Sequence, residues 1–196
     1  MPDEPTELLL PDAAAWRTWL EAHHADRLEA WLVLAKKGTT EPTTLRYDQA
    51  LEEALCFGWI DGQMRRRDDA TTWQRFTPRR ARSSWSQRNV ALAERLIAEG
   101  RMHPAGLAAV EQAKADGRWE AAYAGAATIE VPADLAEALA AEPKAKAAFD
   151  RLSGQNRYAI LYRVTTARRA DTRARRIERF VAMLARGETI YPQKRL

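Results

Sequence analysis

An α+β fold, with a small antiparallel sheet and helices in the first half and an all-helical second half, is predicted by the apolar spacing of this 196-residue chain. Strand signals gather in "EAWLVLAKKG" and in the run "WIDGQMRRRDDATTWQRFTPRR". After Pro78 they nearly vanish, and apolar residues recur at helical spacing to the end. With 46% hydrophobic residues the chain has enough apolar surface to bury a core.

Each element follows from local chemistry. Asp12 is a good N-cap for "AAAWRTWLEAHH", where Trp16, Trp19, Leu20 and His23 share one side. The strand "EAWLVLAKKG" runs into the turn glycine Gly38 and the loop "TTEPTT". "YDQALEEALCFG" is helical, its stripe made by Ala50, Leu51, Ala54, Leu55 and Phe57, and Gly58 sits where a C-terminal cap belongs. Trp59 to Arg66 and Thr72 to Thr77 form a hairpin about "RDDATT", ended by Pro78, with one face expected to be aromatic and buried. "SQRNVALAERLIAEG" is a helix with Val90, Leu92, Ala93, Leu96 and Ile97 inside, and "PAGLAAVEQAKADG" follows between Pro104 and Gly117. "GAATIEVPAD" is the linker, which sets domains of 1–124 (sheet, hairpin and two following helices) and 125–196 (helical). Four further helices fill the second: "LAEALAAE", "KAKAAFDRLS", "NRYAILYRVTTA" and "ADTRARRIERFVAMLARG". In the last of them Ala170, Ala174, Ile177, Val181 and Leu184 form the expected core stripe, and Arg169, Arg173 and Arg176 a separate polar face.

Composition narrows the function classes. A net charge of +4 is a mild excess, but it is concentrated: Arg65–Arg88 holds eight arginines against Asp68 and Asp69, and Arg157–Arg179 holds eight against Asp171 and Glu178. The lone Cys56 excludes an intrachain disulfide and reads as a core residue in a reducing compartment. "MPDEPTELLLPDAAAW" lacks a basic n-region, and no later stretch reaches membrane-spanning length, so a cytoplasmic protein without membrane insertion is expected. Motifs for nucleotides, dinucleotides, metals and the serine-hydrolase elbow are missing from the chain. Adjacent His23 and His24 point about 100° apart on a helix, which disfavours shared chelation. Neither a metal nor another cofactor is expected.

The informative stretch is "FTPRRARSSWSQRN", Phe76 to Asn89. Its serines can cap the following helix, at about 1 kcal/mol, and Trp85 can anchor the junction. Arg79, Arg80 and Arg82 are not explained by capping, because arginine beside a helix N-terminus opposes the macrodipole. A bound anion would reverse that sign, and backbone N–H groups, hydroxyls and guanidinium forks together receive phosphate or carboxylate. Internal neutralisation by Asp61, Asp68 and Asp69 is the competing reading. Asp61 in "GWIDGQ" is the one catalytic candidate, as an acid or base beside a tryptophan, although such an aspartate more often pairs with arginine or holds a turn.

The fragments "WLVLAKKG", "ALCFGWIDGQ", "FTPRR", "SSWSQRN", "GRMHPAGL", "AKADGRW", "VPADLAEAL" and "DTRARRIERF" resemble the YdeI/OmpD-associated family, whose members are labelled bacteriocin-protection proteins. The resemblance implies a small bacterial protein with an α+β first part, a helical second part and a stress or defence association; it carries no catalytic residue over. The expected function is therefore binding rather than catalysis: an anionic small molecule held by Asp61, Arg79, Ser84, Trp85, Ser86 and Asn89. Two alternatives stand beside it. One is nucleic-acid binding through the two arginine-rich regions, with Trp73 or Trp85 for stacking; the other is an enzyme using Asp61.

Overall fold

The structure is a computed structural model and describes residues 6–193. The first five residues of the N-terminal stretch, on which the absence of a leader was read, lie outside it. The elements run β1 (Glu7–Leu8), α1 (Ala13–His23), β2 (Ala30–Ala35), α2 (Tyr47–Cys56), β3 (Trp59–Arg66), β4 (Thr71–Pro78), α3 (Gln87–Ala98) and α4 (Pro104–Ala115), then α5 (Ala133–Ala140), α6 (Pro143–Asp150), α7 (Gly154–Thr165) and α8 (Ala170–Ala185). Strands and helices share the first half and helices make up the second. The chain divides into two compact units, Met1–Trp85 with Asn89–Ala122, and Ser86–Arg88 with Tyr123–Leu196.

In the first unit the sheet order is β1-β2-β4-β3. β2, β4 and β3 are antiparallel neighbours as the hairpin pattern predicts, but the sheet is mixed because the two-residue β1 pairs parallel to β2. Two residues are too short to show a period, which is why the sequence did not announce β1. β2 is buried along its whole length. Ala30, Leu32 and Leu34 face the core formed with Trp16, Leu20, Leu51, Leu55, Trp59 and Phe76. α1 starts where Asp12 accepts from the Ala15 N–H at 2.9 Å, and it delivers Trp16 and Leu20 to that core. The Trp16 indole N–H donates to the Ala50 carbonyl at 3.1 Å, so its burial leaves no orphan donor. α2 ends at Gly58, whose φ of +73° belongs to the left-handed region that favours glycine.

The expected aromatic face of the hairpin is split between two sides. Phe76 and Gln74 point to the core side, so Trp73 and Arg75 point to the other side, as alternation requires. Gln74 is buried because the register shifts between Asp61 and Met64: its side-chain N–H groups donate to the Gly62 carbonyl at 3.1 Å and to the Arg75 carbonyl at 3.1 Å. A bulge frees carbonyls, and a buried glutamine supplies the missing donors. Trp73 instead donates to Glu7 at 2.9 Å, and Glu7 also accepts from Arg67. In α3 the inward residues are Asn89, Ala93 and Leu96, whereas Ile97, expected inside, is exposed.

The second unit buries Leu135, Leu139, Phe149, Ile160, Leu161, Val164, Ile177, Phe180 and Leu184. α7 starts at the Ser153 cap, and the Asn156 side chain holds the tail by donating to the Tyr191 carbonyl and accepting from its N–H. The core stripe of α8 is Ile177, Phe180 and Leu184. Ala170 and Ala174, expected in that stripe, are exposed and instead line a groove of about 890 Å³ with Ala138, Val181 and Ala185.

Candidate functional site

The chain leaves β4 at Pro78 and turns at once. The Arg79 N–H donates to the Gly58 carbonyl at 2.9 Å, and a turn closes where the Ser83 N–H donates to the Arg80 carbonyl at 2.9 Å. The Arg79 guanidinium lies 3.7 Å from the centroid of the Trp85 ring and donates to the Ser83 hydroxyl at 3.3 Å and the Ser84 carbonyl at 3.1 Å. Stacking of this kind contributes about 0.5–2 kcal/mol, rising as water is excluded. Three predicted residues, Arg79, Ser84 and Trp85, are thus brought together by one bend.

Its second fastening comes from far along the chain. Arg118, 5% exposed, donates to the Ser83 carbonyl at 2.9 Å while Asp116 holds its Nε at 2.7 Å. Trp119 meets Trp85 edge to face at 4.8 Å. Sequence reasoning missed both residues; they follow the left-handed Gly117 that ends α4, and no local pattern ties them to a serine 35 residues earlier.

Trp85 itself is 2% exposed, and its indole N–H is buried with no acceptor among the described residues. Burial also removes it as a stacking platform for nucleic-acid bases. Arg80 and Arg82 are exposed and make no ion pair among the described residues. Asp68 and Asp69, considered as internal partners for these arginines, are taken locally. Asp68 accepts from the Thr71 hydroxyl, the Thr71 and Ala70 N–H groups and Arg67, which hold it down at about 2, and Asp69 pairs with Arg66.

The other predicted residues are Asp61, Asn89 and Ser86. Asp61 accepts from the Tyr47 hydroxyl at 2.9 Å, which joins the first residue of α2 to β3. Asn89 is a buried residue of α3. Ser86 pairs with Tyr123 as an isolated bridge within the second unit. Cys56 lies in the core, where burial pushes its thiol up, opposite to what a nucleophile needs. Among the described residues no group of three or more His, Cys, Asp or Glu side chains is placed to hold a metal, and no helix is long and apolar enough to cross a membrane.

The arginines of α8 do not form the free polar face expected of them. Arg173 makes a two-pronged pair with Asp134, 2.9 Å at one prong, and donates to the Val164 carbonyl at 3.0 Å. Arg176 donates to the Arg163 carbonyl, and Arg175 pairs with Asp171 at 3.6 Å, four residues apart. Val164 and Arg163 belong to the last turn of α7, whose carbonyls lack helical partners. These side chains are fold determinants, which removes much of the basis for nucleic-acid contact there.

Comparison with known proteins divides along the same chain. No curated protein and no solved structure matches it. Residues 8–109, just over half of the chain, match the family described as Domain of unknown function (DUF8412). Residues 128–187 match the family described as Bacteriocin-protection, YdeI or OmpD-Associated, a partial-chain match that contains "VPADLAEAL" and "DTRARRIERF". "GWIDG" and "FTPRR", quoted above for the same resemblance, lie in the stretch matched by the first family. The chain therefore belongs to the DUF8412 family through its sheet-bearing part and has, in its helical part, a segment that matches the YdeI/OmpD-associated bacteriocin-protection family.

Proposed function

We propose that the protein binds an anionic small molecule at the Arg79–Trp85 bend, in a cytoplasmic role associated with stress or bacteriocin protection. The observation that carries the reading is the Trp85 indole N–H, buried without an acceptor among the described residues in a bend already rich in cationic donors. An unsatisfied buried donor costs about 1–3 kcal/mol, a cost relieved by an acceptor-bearing guest. Arg80 and Arg82, exposed and without carboxylate partners among the described residues, supply the charge such a guest needs. Ser86 and Asn89, which follow the bend in sequence, and Asp61 of β3 remain part of the proposal, with Arg118 added as the residue that holds Ser83.

Tryptophan fluorescence and thermal shift, titrated with inorganic phosphate, nucleotides, sugar phosphates and organic acids, test it. At least one of these anions is expected to raise the melting temperature of the parent chain and lose that effect in Arg80→Ala/Arg82→Ala. No shift with any of them removes the proposal.

A further inference from the structure

His103, outside the site above, sits where a proton would change the fold locally. It is the N-cap of α4: its backbone is extended, and its ring Nδ1 accepts from the Ala105 N–H at 3.2 Å. An accepting Nδ1 carries no proton, so in the neutral ring the proton is on Nε2. The next proton taken from solvent must therefore go to the capping atom, turning its lone pair into an N–H that faces another N–H. The positive end of the α4 dipole lies at the same point.

The surroundings oppose that proton. The ring stacks on Phe57 with centroids 4.8 Å apart, and His24 meets it edge-on at 4.6 Å. The Nδ1–H of His24 donates to the Leu20 carbonyl at 2.9 Å, which fixes that ring against α1. The groups acting on His103 from α1 and its C-cap are His24 and Arg17, which disfavour a charge on it, and Glu21, which favours one. From α2, Glu53 is held by Arg17 and Arg101, and Cys56 is buried and uncharged. Burial first and His24 second push His103 below the ordinary imidazole range.

What the cap holds is a tight joint. The His103 N–H donates to the Cys56 carbonyl at 3.0 Å, and a Cβ on Gly106 would stand 2.2 Å from that same oxygen. The first turn of α4 thus touches the end of α2 backbone to backbone, a contact that tolerates little displacement. We propose that His103 is an acid-operated latch on α4: protonation at Nδ1 removes the acceptor that caps the helix and releases its first turn from α2.

The test follows the wild-type chain by NMR from about pH 7.5 to about pH 5. The His103 ring signals and the Ala105 amide should titrate together, and protection factors at Ala105, Gly106 and Leu107 should fall about fivefold, the equivalent of one lost cap. Protection factors are read because intrinsic exchange itself slows in acid. In His103→Asn, whose side-chain oxygen still caps but does not titrate, protection should stay level over the same range. His24→Asn should move the release to higher pH by removing the opposing ring. An Ala105 amide that ignores the His103 titration in the wild type overturns the proposal, and so does an equal acid-dependent loss of protection in His103→Asn.

Discussion

The stretches Arg65–Arg88 and Arg157–Arg179 each hold eight arginines and two carboxylates, and the fold uses them in opposite ways. In the second, Arg173 and Arg176 reach carbonyls of the last turn of α7, and Asp134 completes the set. In the first, Arg66, Arg67 and Arg75 find carboxylates on or beside the sheet, Arg79 stacks on Trp85, and Arg80 and Arg82 find no ion-pair partner among the described residues. The difference is one of helix polarity. A helix C-terminus exposes oxygen atoms and welcomes cations; the turn before a helix N-terminus exposes N–H groups and does not. Arginine at the first place is structural; at the second, Arg79 is held by the bend while Arg80 and Arg82 make no ion pair among the described residues.

Substitutions sharpen this contrast, and the largest effect is expected in the second region. Arg173→Ala removes a two-pronged ion pair and a carbonyl contact, and should lower unfolding free energy by about 2 kcal/mol, read by urea denaturation. Equal stability of this variant and the parent would break the comparison. Next comes the bend: Arg79→Ala loses the stacking on Trp85 and its bonds to Ser83 and Ser84, a cost of about 1–2 kcal/mol. Trp85→Phe keeps an aromatic ring but removes the indole N–H, so it should be tolerated while weakening the response to any anion that binds there.

The acid limb gives a smaller signal. The hydrogen bond from Arg173 holds Asp134 below the usual carboxylate range, and the ordering of the two pKa values sets the sign. A depressed folded-state value adds stability above the unfolded carboxylate's pKa, and that stability is lost as pH falls through the folded one. Between those two pH values the parent should lose stability more steeply than Arg173→Ala, measurable as a pH series of melting temperatures. The smallest effect is expected for Arg80→Ala/Arg82→Ala, within about 0.5 kcal/mol of the parent, because neither side chain holds the fold. A large loss there would show that these arginines have internal partners after all.

Much of the architecture was legible. Asp12, Pro104 and the positive-φ Gly58, Gly100 and Gly117 all mark helix ends within a few residues, because capping is a local reaction between a residue and its own turn. The rotation of α8 was not legible. Small alanines fit an apolar stripe on a helical wheel, yet Phe180 fills more of the interior than Ala170 or Ala174, so packing turned the helix toward the larger ring. The bend was half legible. Arg79, Ser84 and Trp85 are neighbours in sequence and meet in space, while Arg118 and Trp119 reach the same place through a contact that no window of residues contains.

By itself, the sequence determined where the helices and the three longer strands lie, which half holds the sheet, and that Cys56 belongs inside, since these follow from propensity, capping and apolar spacing over a few residues. Tertiary structure alone decided which arginines are bound and which are open, which tryptophan keeps a buried donor without an acceptor among the described residues, and that His103 caps a helix against α2. The physical reason is range: a side chain's partner, and with it its charge state and role, is set by groups that folding brings within about 3 Å regardless of their separation along the chain.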